Sequence, residues 1–346
     1  MNHRRLSLVI ALAALVLVAP GPLAPSSSLA AQSAAGRRTE TPRRTPDGRP
    51  DFHGVWVNNI ATPLERPEAL AGRATLTDQE LSAMKKKAHE LFSGNGDAAF
   101  GDSVFNAVWA NLTGTRSGFV SIDGETGDYS SVWTVERDWE NRTSLITDPP
   151  DGRMPSMTPE GAQRRDATVA AIARVPAEPA DRALQERCIT YGSPSLVAGY
   201  QSAYEIVQTS DTVALTLEMI HDTRVIPLNR APHIAPVVRQ WLGDSRGHWE
   251  SDTLVVETAN YKPRSFMGRS SEQLHVVERF SQAGPDTLKY EITINDPGTW
   301  TRPWSLMIPL KRADHPMYEY GCHEGNYGMA GILAGARAEE RAASLH

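Results

Sequence analysis

Three stretches of the chain share one local design: Asp211-Thr212-Val213-Ala214-Leu215-Thr216-Leu217, Asp252-Thr253-Leu254-Val255-Val256-Glu257-Thr258 and Asp286-Thr287-Leu288-Lys289-Tyr290-Glu291-Ile292. Each follows turn-forming residues and opens an alternating or apolar run. Asp and Thr close turns through side-chain-to-backbone hydrogen bonds, and the β-branched runs behind them favour strands. Repeated in this way, the design is that of a β-meander. Further strands are expected at residues 204–208, 237–242, 274–280, 304–310 and 317–322, with short ones around Trp56 and Val132-Trp133. The total of about ten is enough for an antiparallel sheet to curve and close on itself. The fold expected is therefore mainly β, a barrel or a strongly curved meander with peripheral helices.

The chain has 346 residues, 40% of them apolar and 22% charged, with 2 cysteines. This composition is globular, too apolar for general disorder and too poor in cysteine for a disulfide-built miniprotein. With 35 Lys and Arg against 41 Asp and Glu the net charge is −6, so no basic field attracts a phosphate backbone and nucleic acid is not an expected partner.

Arg4 and Arg5 precede an apolar run over residues 6–19, then Pro20-Gly21-Pro22 and a small-residue stretch ending Ser28-Leu29-Ala30-Ala31. This is the pattern of a signal peptide. Pro20-Gly21-Pro22 interrupts the run before it reaches the roughly twenty residues of a membrane span. Residues 1–31 are thus expected to be removed, with cleavage after Ala30 or Ala31, and the protein to be exported to the periplasm or beyond, with no membrane span left. Residues 32–50, which hold five Arg, read as a flexible basic arm, and residues 51–346 as a single β-rich domain. Beyond the arm 28 Lys and Arg stand against 39 Asp and Glu, a net of 28 − 39 = −11. Cys188 and Cys322 both survive cleavage. Two cysteines in an oxidising compartment generally pair; the alternative is two buried free thiols.

Helices are expected at three places. Thr77-Asp78-Gln79-Glu80 is a capping box, followed at helical spacing by Leu81, Met84, Ala88 and Leu91, which predicts a helix over 77–92. Thr158-Pro159 supplies a cap and a first-turn proline for a helix over 158–174. An Ala-rich segment with paired Glu and Arg predicts a surface helix over 329–343.

Gly54-Val55-Trp56 opens the ordered domain, and this Gly-x-Trp resembles the start of a lipocalin-type barrel, in which the Trp plugs one end. Further motifs are DPPDGR at 148–153, ERCIT at 186–190, EMIHD at 218–222, GDSRGHWE at 243–250, WTRPW at 300–304 and CHEGNYG at 322–328. Together they resemble a large family of exported hypothetical proteins of soil bacteria. The resemblance spans nearly all of the mature chain; it implies export and brings no activity with it.

Several groups could carry chemistry. No Gly-x-Ser-x-Gly elbow is expected, and neither a phosphate-cradling Gly-x-x-x-x-Gly-Lys-Ser/Thr nor a Gly-x-Gly-x-x-Gly is present, so serine hydrolases, NTPases and simple dinucleotide enzymes lose their usual support, and no cofactor is expected. His323-Glu324 begins like a zinc-protease helix, but Tyr327 stands where the second His must be. Residues 318–328 crowd Tyr, Glu, His and Asn around three glycines and are the strongest candidate site. There His323 would be the general acid or base, Glu324 its partner and Tyr327 a donor to a developing oxyanion. His221, placed on the apolar face of a strand, would be a further neutral base, with Asp222 and Arg224 on the opposite face as ligand-binding residues; the alternative for His221 is a core histidine bonded to a carbonyl. Residues 243–250 read as a turn, with Trp241 and Trp249 able to grip an apolar or sugar ring at a barrel mouth. In Trp300-Thr301-Arg302-Pro303-Trp304, the Arg is either a cation–π brace between indoles or a carboxylate clamp. His221, His248 and His323 suit a metal chemically, yet no pair has ligand spacing within one element, so no metal is assigned.

The functional expectation is an exported protein with a pocket for a small ring-containing molecule, which it binds or transforms by His/Glu/Tyr acid–base chemistry as a lyase, isomerase or hydrolase. The alternative is a non-catalytic ligand-binding or envelope scaffold protein, for which a filled barrel is expected. Oligomeric state is left open.

Overall fold

A computed structural model describes residues 43–93, 99–119 and 136–344. The expected signal peptide, the first part of the arm and the strand at Val132-Trp133 lie outside the described residues. Ten strands form one sheet: β1 (Gly54–Val57), β2 (Ile146–Asp148), β3 (Ala203–Gln208), β4 (Thr212–Leu217), β5 (Thr223–Pro227), β6 (Asp244–Glu250), β7 (Thr253–Ala259), β8 (His275–Gly284), β9 (Thr287–Asn295) and β10 (Trp304–Arg312). The order is β5-β4-β3-β1-β10-β9-β8-β7-β6, every pair antiparallel, with β2 added to β10. The sheet curls until its edges, β5 and β6, face each other. Gly247 of β6 permits this closeness, because a Cβ there would meet Leu228 at 2.7 Å and Ile226 at 2.9 Å. The result is a nearly closed, lipocalin-like antiparallel barrel.

Period-2 alternation fills it. Trp304, Leu306, Ile308 and Leu310 of β10 are buried, as are Leu288, Tyr290, Ile292 and Ile294 of β9, and both rows join one core with Val256, Leu215 and Ile206. Trp56, also buried, donates from its indole N–H to the Phe52 carbonyl at 2.9 Å and lies under the Arg312 guanidinium at 4.1 Å. The three Asp-Thr units open β4, β7 and β9, as their sequence requires. Their aspartates are spent differently: Asp211 accepts from the Thr209 hydroxyl at 2.9 Å, Asp252 pairs with Arg44 at 2.8 Å, and Asp286 faces Arg312 at 3.6 Å.

Four helices lie outside the barrel interior: α1 (Asp78–Phe92), α2 (Asp102–Leu112), α3 (Pro159–Ala173) and α4 (Tyr327–Ala343). The Thr77 capping box forms in full, with Glu80 N–H donating to Thr77 Oγ1 at 3.2 Å and Thr77 N–H to Glu80 Oε2 at 2.9 Å. Helix α1 packs Met84 with Phe105 and Val108 of α2 in a cluster apart from the barrel core. The sequence reading has no counterpart of α2, although Val104, Phe105 and Val108 share one helical face.

Some expectations are corrected. Residues 237–242 are not a strand: Pro232 and Pro236 withhold donors nearby, Val237 is 87% exposed, and only Gln240 makes an isolated bridge, to Tyr261. Residues 317–322 follow Pro316 and stay irregular. Residues 243–250 are not a turn, since Asp244–Glu250 is β6 itself and pairs along its length with β7. Within the arm, residues 43–50 fold back on themselves through an Arg44–Pro50 bridge, and Arg49 lies 5.8 Å from the Trp249 ring.

Candidate functional site

β4 ends at Leu217, and the chain reaches β5 through a tight turn instead of continuing extended. Ile220 (φ 59°) and His221 (φ 48°) are both left-handed, an uncommon conformation for any side chain and a strained one for a β-branched residue. The turn is closed by Leu217 N–H donating to Asp222 O at 2.8 Å and His221 N–H to Glu218 O at 3.1 Å. His221 is therefore turned out of the strand alternation that would have put it inside the barrel, and it is exposed. Asp222, half-buried, accepts from Thr190 Oγ1 at 2.7 Å and Tyr191 N–H at 2.8 Å, which ties the turn to the 188–195 loop. Burial pushes its carboxyl pKa up, against the pull of those donors.

Outside this turn lies a cleft of about 260 Å³ lined by Glu218, His221, Met317, Tyr318, Glu319, Tyr320, His323 and Glu324. Two of its walls come from segments a hundred residues apart. The Cys188–Cys322 disulfide, with Cα atoms 5.8 Å apart, holds the second wall in place immediately before His323. Asn326 then caps α4 through its Oδ1, which accepts from Met329 N–H at 3.2 Å, while its Nδ2 donates to Glu186 O at 2.9 Å. The structure thus gathers His221, His323 and Glu324. It does not gather Tyr327, which begins α4 and is 82% exposed outside this lining. The side chains of His323 and Glu324 make no hydrogen bond with another described residue, so nothing orients them as an acid–base pair.

Inside the turn, Arg224 does not share an outward face with Asp222 but points into the barrel. Its guanidinium donates to both carboxylate oxygens of Glu278, at 2.5 and 2.8 Å, and the Tyr290 hydroxyl donates to the same carboxylate. Burial opposes the charge on Arg224, yet the Glu278 carboxylate outweighs it and raises the Arg224 pKa; burial and Glu278 together raise the Tyr290 phenol well above its usual value. Beside this group is a cavity of about 20 Å³, lined among others by Ser193, Tyr204, Asp222, Arg224 and Leu242. It has room for about one water molecule. The buried Tyr261 hydroxyl faces Ser193 and Thr258. Glu278 and Tyr290 escaped the sequence reading, although Leu274, Val276, Glu278 and Phe280 place one carboxylate in register with an inward apolar row.

The aromatic candidates are structural. Trp300 and Trp304 are buried, 5.6 Å apart edge to face and packed on Phe266, while Arg302 is exposed and pairs with Asp148 at 2.6 Å, so no indole sandwich forms. Trp241 lies under the Lys262 ammonium at 4.8 Å, and Trp249 packs against Phe52 at 5.5 Å. Trp241 precedes β6 and Trp249 lies near its far end, each packed against its own neighbours, so they do not form one ring-gripping pair. Contrary to the expectation that the chain has no such motif, Gly243-Asp244-Ser245-Arg246-Gly247 fits the Gly-x-Ser-x-Gly pattern of serine hydrolases. Ser245 is buried at the start of β6 and bonded to Thr258 at 2.9 Å, while the His233–Asp244 pair, 2.8 Å apart, is carried by its neighbour on the opposite face. No nucleophile elbow results. Among the described residues no group of three or more His, Cys, Asp or Glu side chains is placed to hold a metal.

Comparison of the chain with family models, curated proteins and solved structures found no match.

Proposed function

We propose that the protein is exported and binds a small ring-containing molecule in the cleft between the β4–β5 turn and residues 317–324. The observation that carries this reading is the cleft itself, about 260 Å³ with Tyr318 and Tyr320 beside His221 and His323. Tyrosines supply apolar rings with a polar tip, the usual chemistry for holding a small cyclic ligand. Export rests on the signal-like N-terminus and agrees with a disulfide between the two cysteines and with the absence, among the described residues, of a helix long and apolar enough to cross a membrane. The resemblance to exported proteins of soil bacteria points the same way. Binding is the simpler reading, since among the described residues no hydrogen bond orients the His323 ring.

The filled barrel favours a second reading, an envelope scaffold. The test is ligand-observed NMR of the mature protein against a library of aromatic compounds and sugars. We expect ligands that bind, lose about tenfold in affinity in Tyr318→Ala, and are recovered chemically unchanged. If no member binds, or if Tyr318→Ala with His323→Ala leaves affinity intact, the cleft is not the site and the scaffold reading replaces it.

A further inference from the structure

The cleft has a marked charge inventory. Three of its lining residues are carboxylates, Glu218, Glu319 and Glu324, and none is a Lys or Arg. These carboxylates are unspent. None of the three takes part in a salt bridge among the described residues, and the contact recorded for Glu218 is a long one, from Ala203 N–H at 3.4 Å. Other surface acids are paired with a base, Glu80 with Arg73, Glu250 with Arg279 and Asp148 with Arg302. Unpaired carboxylates that line one concave surface add to a negative potential there, and the net charge of −11 beyond the arm reinforces it. Tyr318 and Tyr320 add ring faces, whose quadrupole attracts cations and not anions, and the Met317 thioether is a polarisable apolar contact.

Resting on the binding reading above, we propose that the ligand of this cleft is cationic: an organic ammonium carried on or beside a ring, its charge facing Glu319 and Glu324 and its apolar body on Tyr318, Tyr320 and Met317. A neutral sugar gains nothing from three carboxylates without a cation, and an anionic aromatic is repelled by them. The inference therefore narrows the class that the size of the cleft alone admits.

The test uses three probes of similar size on the mature protein, benzyltrimethylammonium, benzyl alcohol and benzoate, with affinity and location read from 15N chemical-shift titrations. We expect benzyltrimethylammonium to bind about tenfold more tightly than benzyl alcohol, with shifts centred on residues 317–324, and benzoate to be weaker still. Raising salt from about 20 to about 500 mM should erode the cation's advantage, since screening shortens the reach of exposed charges. Glu319→Gln with Glu324→Gln keeps the shape of the cleft and should bring the two affinities to within about threefold. Equal affinity for the cation and the alcohol, or a preference that survives the double substitution, overturns the charge assignment and leaves the cleft as a neutral site. Failure of all three probes to shift residues 317–324 overturns the cleft reading as well.

Discussion

Glu278 occupies a position that its neighbours give to hydrocarbon, inward on β8 between Val276 and Phe280 and without solvent exposure. A carboxylate there is tolerable only because Arg224 reaches it from β5 with two donors and Tyr290 adds a third. The pair also links the strand at one edge of the sheet to the strand third from the other edge, across the gap that hydrogen bonding does not close. Removing one partner strands a buried charge, so Glu278→Leu should lower stability by about 3–5 kcal/mol, whereas Arg224→Met with Glu278→Leu should return to within about 1–2 kcal/mol of the parent. Urea denaturation measures both, provided the slope is unchanged. A Glu278→Leu protein as stable as the parent would show that the pair holds nothing together. At this scale the sequence was least legible. His221 obeys strand alternation on paper and escapes it in the structure, because two left-handed residues turn the chain before the alternation reaches it.

Among the elements, α1 is the one whose boundary is most fully explained by side chains. Thr77 and Glu80 satisfy each other's backbone donors, and Arg73 pairs with Glu80 at 2.7 Å. Thr77→Ala should cost about 1 kcal/mol. The hydrogen bond from Arg73, then that from the Thr77 backbone, depress the Glu80 carboxyl to about 2 from its usual 4.5. A depressed carboxylate pKa contributes stability that is complete above the unfolded value near 4.5 and lost as pH falls toward 2. Acidification from pH 5 to pH 2 should therefore accelerate amide exchange in the first turn of α1, and Glu80→Gln should show less of that pH dependence; an unchanged profile in the variant would remove Glu80 as its cause. The capping box, the Thr158-Pro159 start of α3 and the three Asp-Thr strand openings were legible because each is a local solution to a local problem, the closing of a turn or the satisfying of terminal donors. Helix α2 was not read, since Gly101 gives its start no side-chain cap and the apolar residues after it fit a strand or a helix over so short a run. The irregular course of 317–322 was not legible either: its place is fixed by a bond to Cys188 and not by any periodicity of its own.

For the molecule as a whole, the Cys188–Cys322 disulfide is the tie between the barrel mouth and the cleft. Cys188 leads into Thr190 and Tyr191, which grip Asp222 of the β4–β5 turn, and Cys322 leads into His323. One covalent bond thus fixes the two walls of the cleft relative to each other. It also closes a loop with a sequence separation of 134, the kind of long closure that the chain-entropy treatment credits with about 4–5 kcal/mol. Reduced protein should melt lower by about 10 °C, and Cys188→Ser should weaken ligand binding in the cleft although residue 188 does not line it. The two effects separate if the variant is assayed well below its melting temperature: a folded Cys188→Ser protein with unaltered affinity would mean that the bridge stabilises the fold without shaping the site. Intact mass after alkylation, on non-reduced protein recovered from the exported fraction, supplies the remaining arm. Unmodified cysteines are expected, because paired sulfurs do not alkylate. Two alkylated thiols would break the link between compartment, disulfide and cleft, and would leave the hydrogen bonds of Asn326 and the packing of Tyr320 on the core to hold residues 317–324.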